Sequence, residues 1–156
     1  ILTLGALAVS ADFRKAVYTM IQKFLPIEMQ LTYQVDGEPL EQLPNGYSDH
    51  YVPDGFERDY EQGYDDAQAF LHVYTDIMTN DFYTVSCAIV QNQNQKELFD
   101  NEHTKYRKVK MGDVEALLGE DKNTGYYLVW EDEGITHTII GRISIRELML
   151  VAQKIY

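Results

Sequence analysis

Residues 126–140 have the sequence YYLVWEDEGITHTII, and this stretch decides the fold of the C-terminal part of the chain. Aromatic and β-branched residues favour strands, and Glu133-Gly134 is typical of a tight turn. The stretch therefore predicts a β-hairpin with strands from Tyr126 to Glu131 and from Thr136 to Gly141. Trp130 is expected to anchor its core.

A helix is expected directly after this hairpin. The Ser144 hydroxyl can accept a hydrogen bond from the amide of Glu147, whose carboxylate can bond back, which is a capping box. The apolar residues that follow have helical spacing: Ile145, Leu148, Met149, Ala152 and Ile155.

Earlier parts of the chain predict further strands, because runs of strand-forming residues are separated by turn residues. The expected strands are Leu31 to Val35, Ala69 to Thr75, Phe82 to Gln91 and Thr104 to Met111, while Val114 to Leu118 fits either a strand or one helical turn.

A second helix is predicted near the N-terminus, from Ala11 to Phe24. Its apolar residues recur at i, i+3, i+4 and i+7, and Pro26 would end it. The sequence thus predicts an α+β fold, in which a curved antiparallel β-sheet of about five to seven strands packs against N-terminal and C-terminal helices.

The size and charge of the chain limit its function. A chain of 156 residues fits one domain, expected over residues 11–156. Its 25 acidic and 13 basic residues give a net charge of −12, which argues against nucleic acid as a partner. The single cysteine, Cys87, lies in an apolar run and is expected to be buried.

Residues 1–10 open with nine residues dominated by apolar side chains, too few to span a bilayer alone. We interpret them as the remnant of a transmembrane segment or of a signal peptide, with an ordinary first strand or helical turn as the alternative. Either of the first two interpretations places the domain outside the membrane. If ordered, these residues are expected to pair with another copy of the chain or to pack in a groove.

No motif predicts a catalytic, cofactor or metal site. The four histidines are far apart and do not have metal-ligand spacing, and no phosphate loop or catalytic triad order is present. A ligand or partner surface is instead indicated where tyrosines alternate with carboxylates, because such faces can bind sugars or cations. Its candidate residues are Tyr60, Tyr64, Asp65 and Asp66, together with Trp130 as a stacking residue; a solvated strand edge and a buried anchor are the alternatives.

Four segments resemble the domain of unknown function 4367 family. They are Tyr51 to Phe56, Glu102 to Gly112, the turn from Trp130 to Gly134, and Gly141 to Leu148 followed by Val151-Ala152. The resemblance covers roughly Tyr47 to Ile155. It implies antiparallel strands and carries no catalytic residues.

The resemblance also implies a Gram-positive, membrane-anchored protein whose domain lies outside the membrane, in some cases beside an anti-sigma-like cytoplasmic part. We therefore expect a non-enzymatic, sensor-like domain that signals by binding a protein or small ligand at the cell surface. The alternatives are a secreted domain, a lipid or peptide carrier with an apolar groove, and a hydrolase with an unrecognised carboxylate site.

Overall fold

The computed structural model describes residues 17–24, 28–91, 95–100 and 102–156. The described residues form ten strands and one helix. The strands are β1 Val17–Phe24, β2 Glu28–Asp36, β3 Phe56–Asp65, β4 Ala69–Asp76, β5 Phe82–Ile89, β6 Gln95–Asp100, β7 Thr104–Met111, β8 Val114–Asp121, β9 Gly125–Asp132 and β10 Ile135–Gly141, and the helix is α1 Ile145–Gln153.

The strands form two antiparallel sheets. The larger has seven strands in the order β3-β4-β5-β10-β9-β8-β7, and the smaller has three in the order β1-β2-β6. Strands that are neighbours in the larger sheet also follow one another along the chain, as in β9 and β10. The exception is the pair of β5 and β10, which lie far apart in sequence. Strands β3 and β7 are therefore the two edges of the larger sheet.

The hairpin predicted from residues 126–140 is confirmed. Asp132 pairs with Ile135 across the two-residue turn, and both turn residues have positive φ, 50° at Glu133 and 87° at Gly134. Such turns match the right-handed twist of the strands they join. Ile139 is fully buried, whereas Ile140 is only half-buried, because successive strand residues face opposite sides of the sheet.

The C-terminal helix is also confirmed. The Ser144 hydroxyl accepts a 3.1 Å hydrogen bond from the amide of Glu147, which satisfies one of the unpaired donors at the start of a helix. The helix buries Leu148, Val151 and Ala152 against the larger sheet.

Both faces of the larger sheet are buried where β8 and β9 lie side by side. Leu128 and Trp130 belong to the core cluster that contains α1, whereas the intervening Val129 packs with Met29 and Leu31 of β2. The helix and the three-stranded sheet therefore cover opposite faces of the seven-stranded sheet.

The predicted α+β fold with two helices is wrong, since the described residues are mostly strand and contain one short helix. Residues 17–24 form strand β1, each paired with a residue of β2, and residues 1–16 lie outside the described residues. Val17, Tyr18, Thr19 and Ile21 are good strand formers, so a pairing partner outweighs the helical spacing. The ambiguous stretch from Val114 is strand β8.

Candidate functional site

A bulge interrupts the edge strand β3. Asp59 pairs with Val73 and Gly63 with the next residue, His72, so residues 60–62 have no partner on β4. The Asp59 carboxylate fixes this bulge, because it accepts hydrogen bonds from the Glu61 amide (2.9 Å) and from the Gln62 side chain (2.7 Å).

The bulge requires a glycine at its end. Gly63 has a φ of 90°, and a Cβ atom there would lie 2.1 Å from the carbonyl oxygen of Leu71. Only glycine combines this left-handed backbone with so close an approach to the neighbouring strand. The bulge is thus specified by the sequence, and such bulges often redirect a side chain next to a functional site.

Two tyrosines of β3 face solvent. Tyr60, in the bulge, is 82% exposed, and Tyr64 is 50% exposed. The guanidinium of Arg58 lies 4.8 Å from the centre of the Tyr60 ring, within cation–π range. We refer to Tyr60, Glu61, Tyr64 and Asp65 as the β3 surface. Three of these were predicted, and the structure places them together on one strand.

Asp66 was predicted with them, and its role is to shape the turn after β3. Its carboxylate accepts hydrogen bonds from the amides of Gln68 (2.7 Å) and Ala69 (2.8 Å). Its backbone amide donates to the carbonyl of Ala69. Asp66 therefore fixes the register between β3 and β4 beside the β3 surface.

A polar network links Asp65 of the β3 surface to the buried side chains of His72 and Asp49. His72 on β4 contacts Asp65 through Nε2 (2.7 Å) and Asp49 through Nδ1 (2.6 Å). Asp65 also accepts a 2.7 Å hydrogen bond from Arg58, and Asp49 accepts a 2.6 Å hydrogen bond from the Tyr74 hydroxyl. The network joins the edge strand to the interior of the sheet.

The charges of this network follow from its geometry. Burial alone would lower the pKa of His72, but the hydrogen bonds to Asp49 and Asp65 outweigh it and raise that pKa above its ordinary value. In return, the hydrogen bond from His72 lowers the pKa of Asp65. Because each ring nitrogen faces a carboxylate oxygen, the geometry favours the doubly protonated form of His72, which donates one hydrogen bond to each carboxylate.

The Asp49–His72 pair is similar to the acid and base of a hydrolytic triad, but the remaining position is taken. In a triad the second imidazole nitrogen faces a nucleophilic hydroxyl. Here that nitrogen bonds to Asp65, and the nearby Ser48 hydroxyl donates to Asp49 at 3.2 Å. The arrangement suits ionic anchoring of β3 better than proton transfer.

Trp130 lies apart from the β3 surface. It is on β9, four positions from β3 in the sheet order, and is only 4% exposed. Its ring stacks on His137 with centroids 4.5 Å apart and planes 2° from parallel. Nε2 of His137 lies 2.6 Å from the Tyr47 hydroxyl.

These three rings border a cavity of about 350 Å³, which we call the Trp130 cavity. It lies between the end of α1 and the turn from β7 to β8. The remaining described residues that line it are Met111, Gly112, Val114, Asp132, Ala152, Gln153 and Ile155.

His137 is neutral in this environment. It is 2% exposed, and burial lowers its pKa to about 4. Its Nδ1 has no hydrogen-bond partner within the described part of the chain. Burial also raises the pKa of Tyr47, so the Tyr47–His137 contact joins two uncharged groups.

Sequence reasoning missed Tyr47 and Asp49 because nothing near them indicates a site. A signal did exist for the histidines, since His72 alternates with Phe70 and Tyr74, and His137 with Ile135 and Ile139, which places each on an apolar face. Among the described residues, no group of three or more metal-ligating side chains could hold an ion. No described helix has the length and apolar character needed to cross a bilayer.

Fold and site together define a mostly β domain with a bulged edge strand and a helix on one sheet face. The chain belongs to the family described as "Domain of unknown function (DUF4367)", whose model matches residues 46–155. No curated protein and no solved structure matches the chain.

Proposed function

We propose that this chain is a non-enzymatic, sensor-like binding domain that recognises a protein partner through the β3 surface. The observation that carries the proposal is the bulge that ends at Gly63, which holds Tyr60 82% exposed on an edge strand. Tyr60, at the tip of this bulge, is not part of either hydrophobic cluster, so core packing does not explain the bulge.

Tyrosine is suited to this role because it offers a large, rigid contact area with a polar end, and it is enriched at the energetic centres of protein interfaces. Tyr60 is already stacked against Arg58, and Arg58 is held by its 2.7 Å contact with Asp65. The ring is thus partly ordered before binding, which reduces the entropy lost on association.

Charge indicates the chemistry of the partner. Glu57, Asp59 and Glu61 lie on the same edge strand as the two tyrosines, and the whole chain has a net charge of −12. An acidic surface steers basic partners toward it and repels anionic ones. We therefore expect a protein segment that presents Lys or Arg beside an apolar group.

We also propose that this domain lies outside the cytoplasm and belongs to a membrane-anchored protein of a Gram-positive bacterium. Support comes from the apolar residues 1–9 and from what resemblance to the family implies. A signalling role beside an anti-sigma-like module is part of the same proposal and is supported by the resemblance to the family. Association between copies through residues 1–10 is part of the same proposal.

The other candidate functions have less support. Four cavities lined by described residues have volumes of about 210–350 Å³ and mixed polar and apolar walls, and none of these four has the size and apolar lining expected of a lipid groove. Asp49 and Asp65 converge on His72, but a carboxylate acid needs a raised pKa and that of Asp65 is lowered.

Photocrosslinking in the cells that produce the protein tests this proposal. A photoreactive phenylalanine analogue replaces Tyr60 in one variant and Leu98, an exposed residue of β6 in the other sheet, in a control variant. We expect a discrete protein adduct from position 60 alone, at a partner site that contains Lys or Arg. Identical adducts from both positions, or none from position 60, would contradict the proposal.

A further inference from the structure

The Trp130 cavity has the composition of a small-molecule site. Its volume of about 350 Å³ lies at the lower end of the range for ligand pockets. At roughly 30 Å³ per water-sized group, it has room for about a dozen non-hydrogen atoms. Met111, Val114 and Ile155 supply apolar walls, and each is half-buried.

Among the described residues that line the cavity, the charged side chain is negative. Asp132 is the one ionisable carboxylate among the described lining residues, and neither lysine nor arginine is found among them. His137 is neutral, and Tyr47 retains its proton. Asp132 is an exposed residue, and partial burial together with the neighbouring Glu133 raises the pKa of its carboxylate.

We propose that the Trp130 cavity binds a small organic cation, an amine with a compact apolar body. The apolar body would displace water from Met111, Val114 and Ile155, and the ammonium group would pair with Asp132. The aromatic rings of Trp130 and Tyr47 border the cavity, and such rings attract a cation that lies over a ring face.

Other ligand classes fit less well. An anion would meet Asp132 and the adjacent Glu133 in a chain of net charge −12. A neutral apolar molecule would cover the Asp132 carboxylate without pairing it, which costs free energy. This site is separate from the β3 surface, so the proposal does not depend on the proposed function.

Trp130 itself reports on binding, since it is the single tryptophan of the chain. Phenethylamine is titrated into the intact protein while tryptophan fluorescence is excited selectively. Phenylpropionate, which has a similar body and the opposite charge, serves as the matched probe. We expect a saturable change with phenethylamine, with a dissociation constant of about 0.1–10 mM for so small a ligand, and none with phenylpropionate.

Variants locate the site. Asp132→Asn is expected to weaken phenethylamine binding at least about tenfold, as for the loss of a charged hydrogen-bond partner. Asp113→Asn, an equal change of net charge in the β7–β8 turn outside the cavity lining, should leave binding unchanged. Val114→Phe fills the cavity and should abolish the response, which provides a second test if Asp132→Asn does not fold.

Three results would overturn the proposal. They are an equal response to both probes, the absence of a saturable response to phenethylamine, and wild-type affinity in folded Asp132→Asn or Val114→Phe. Tyr60→Ser should bind phenethylamine as the wild type does, so failure of this site and failure of the β3 surface are distinguished.

Discussion

His72 and Asp49 form a 2.6 Å hydrogen bond between Nδ1 and Oδ1, and each side chain is only 1% exposed. Removal of one member of a buried ion pair destabilises a protein, because the remaining charge is still desolvated but no longer paired. The pair also has a positional role. Asp49 forms an isolated β-bridge with Ile155, so His72 connects this bridge to strand β3 through Asp65.

Removal of His72 should therefore destabilise the fold strongly. We expect His72→Gln to lower the free energy of unfolding by about 3–5 kcal/mol, measured by urea denaturation near pH 6. His50→Gln is the control, because His50 is exposed and should cost less than about 1 kcal/mol. Equal losses in the two variants would contradict a buried ionic role for His72.

The stabilisation by His72 should depend on pH. Its pKa is raised above 6.5 in the folded protein, so its contribution is complete below pH 6.5 and is lost as the pH rises through the folded pKa. Asp65 acts oppositely: its pKa lies below 3.8, and its contribution is lost as the pH falls through that lowered value. We expect the difference in unfolding free energy between wild type and His72→Gln to be constant from about pH 4.5 to 6 and to decrease at higher pH. A difference that increases above pH 7 would be inconsistent with these signs.

His137 should have the reverse effect and make the protein sensitive to acid. Because its pKa falls to about 4 on folding, the unfolded chain binds a proton between pH 6.5 and 4 that the folded chain does not. Over this interval the wild type should lose about 3 kcal/mol of stability relative to His137→Gln. Parallel denaturation curves for the two proteins from pH 7 to 4 would show that His137 is not buried in neutral form.

Gly63 provides a test of the bulge. Gly63→Ala adds a Cβ atom 2.1 Å from the Leu71 carbonyl oxygen, and we expect a loss of about 2–4 kcal/mol together with reduced binding through the β3 surface. Gly46→Ala is the matched control, since Gly46 also has positive φ but no atom within 4 Å of the added Cβ. Gly46→Ala should lower the free energy of unfolding by only about 1 kcal/mol, the cost of backbone strain alone. Thermal unfolding of both variants would separate this strain from the steric clash at Gly63.

Local signals predicted the parts of the fold that local interactions determine. The turn at Glu133-Gly134 and the cap at Ser144 each involve residues within a few positions of one another. The local sequence is therefore sufficient to predict both. Residues 17–24 show the limit of this reasoning. Their helical spacing is real, but a strand partner in β2 is available, and tertiary pairing outweighs local periodicity.

The candidate site was predictable only in part. Tyr60, Tyr64 and Asp65 are close in sequence and share a strand, so their grouping could be seen in advance. Trp130 has similar chemistry, but its distance from them is set by the strand order of the sheet. The contact between Asp49 and His72 spans 23 residues and depends on pairing of distant segments, for which single-sequence patterns carry no information.

The three-stranded sheet has a consequence for where this chain can be cut for expression. Similarity to the family begins at residue 46, yet β2, which ends at Asp36, pairs with β6 and covers Val90, Leu117 and Val129. The matched region therefore begins after a strand that packs against it. A fragment cut at residue 46 would leave β6 without its β2 partner and an apolar sheet face open to solvent, which favours aggregation.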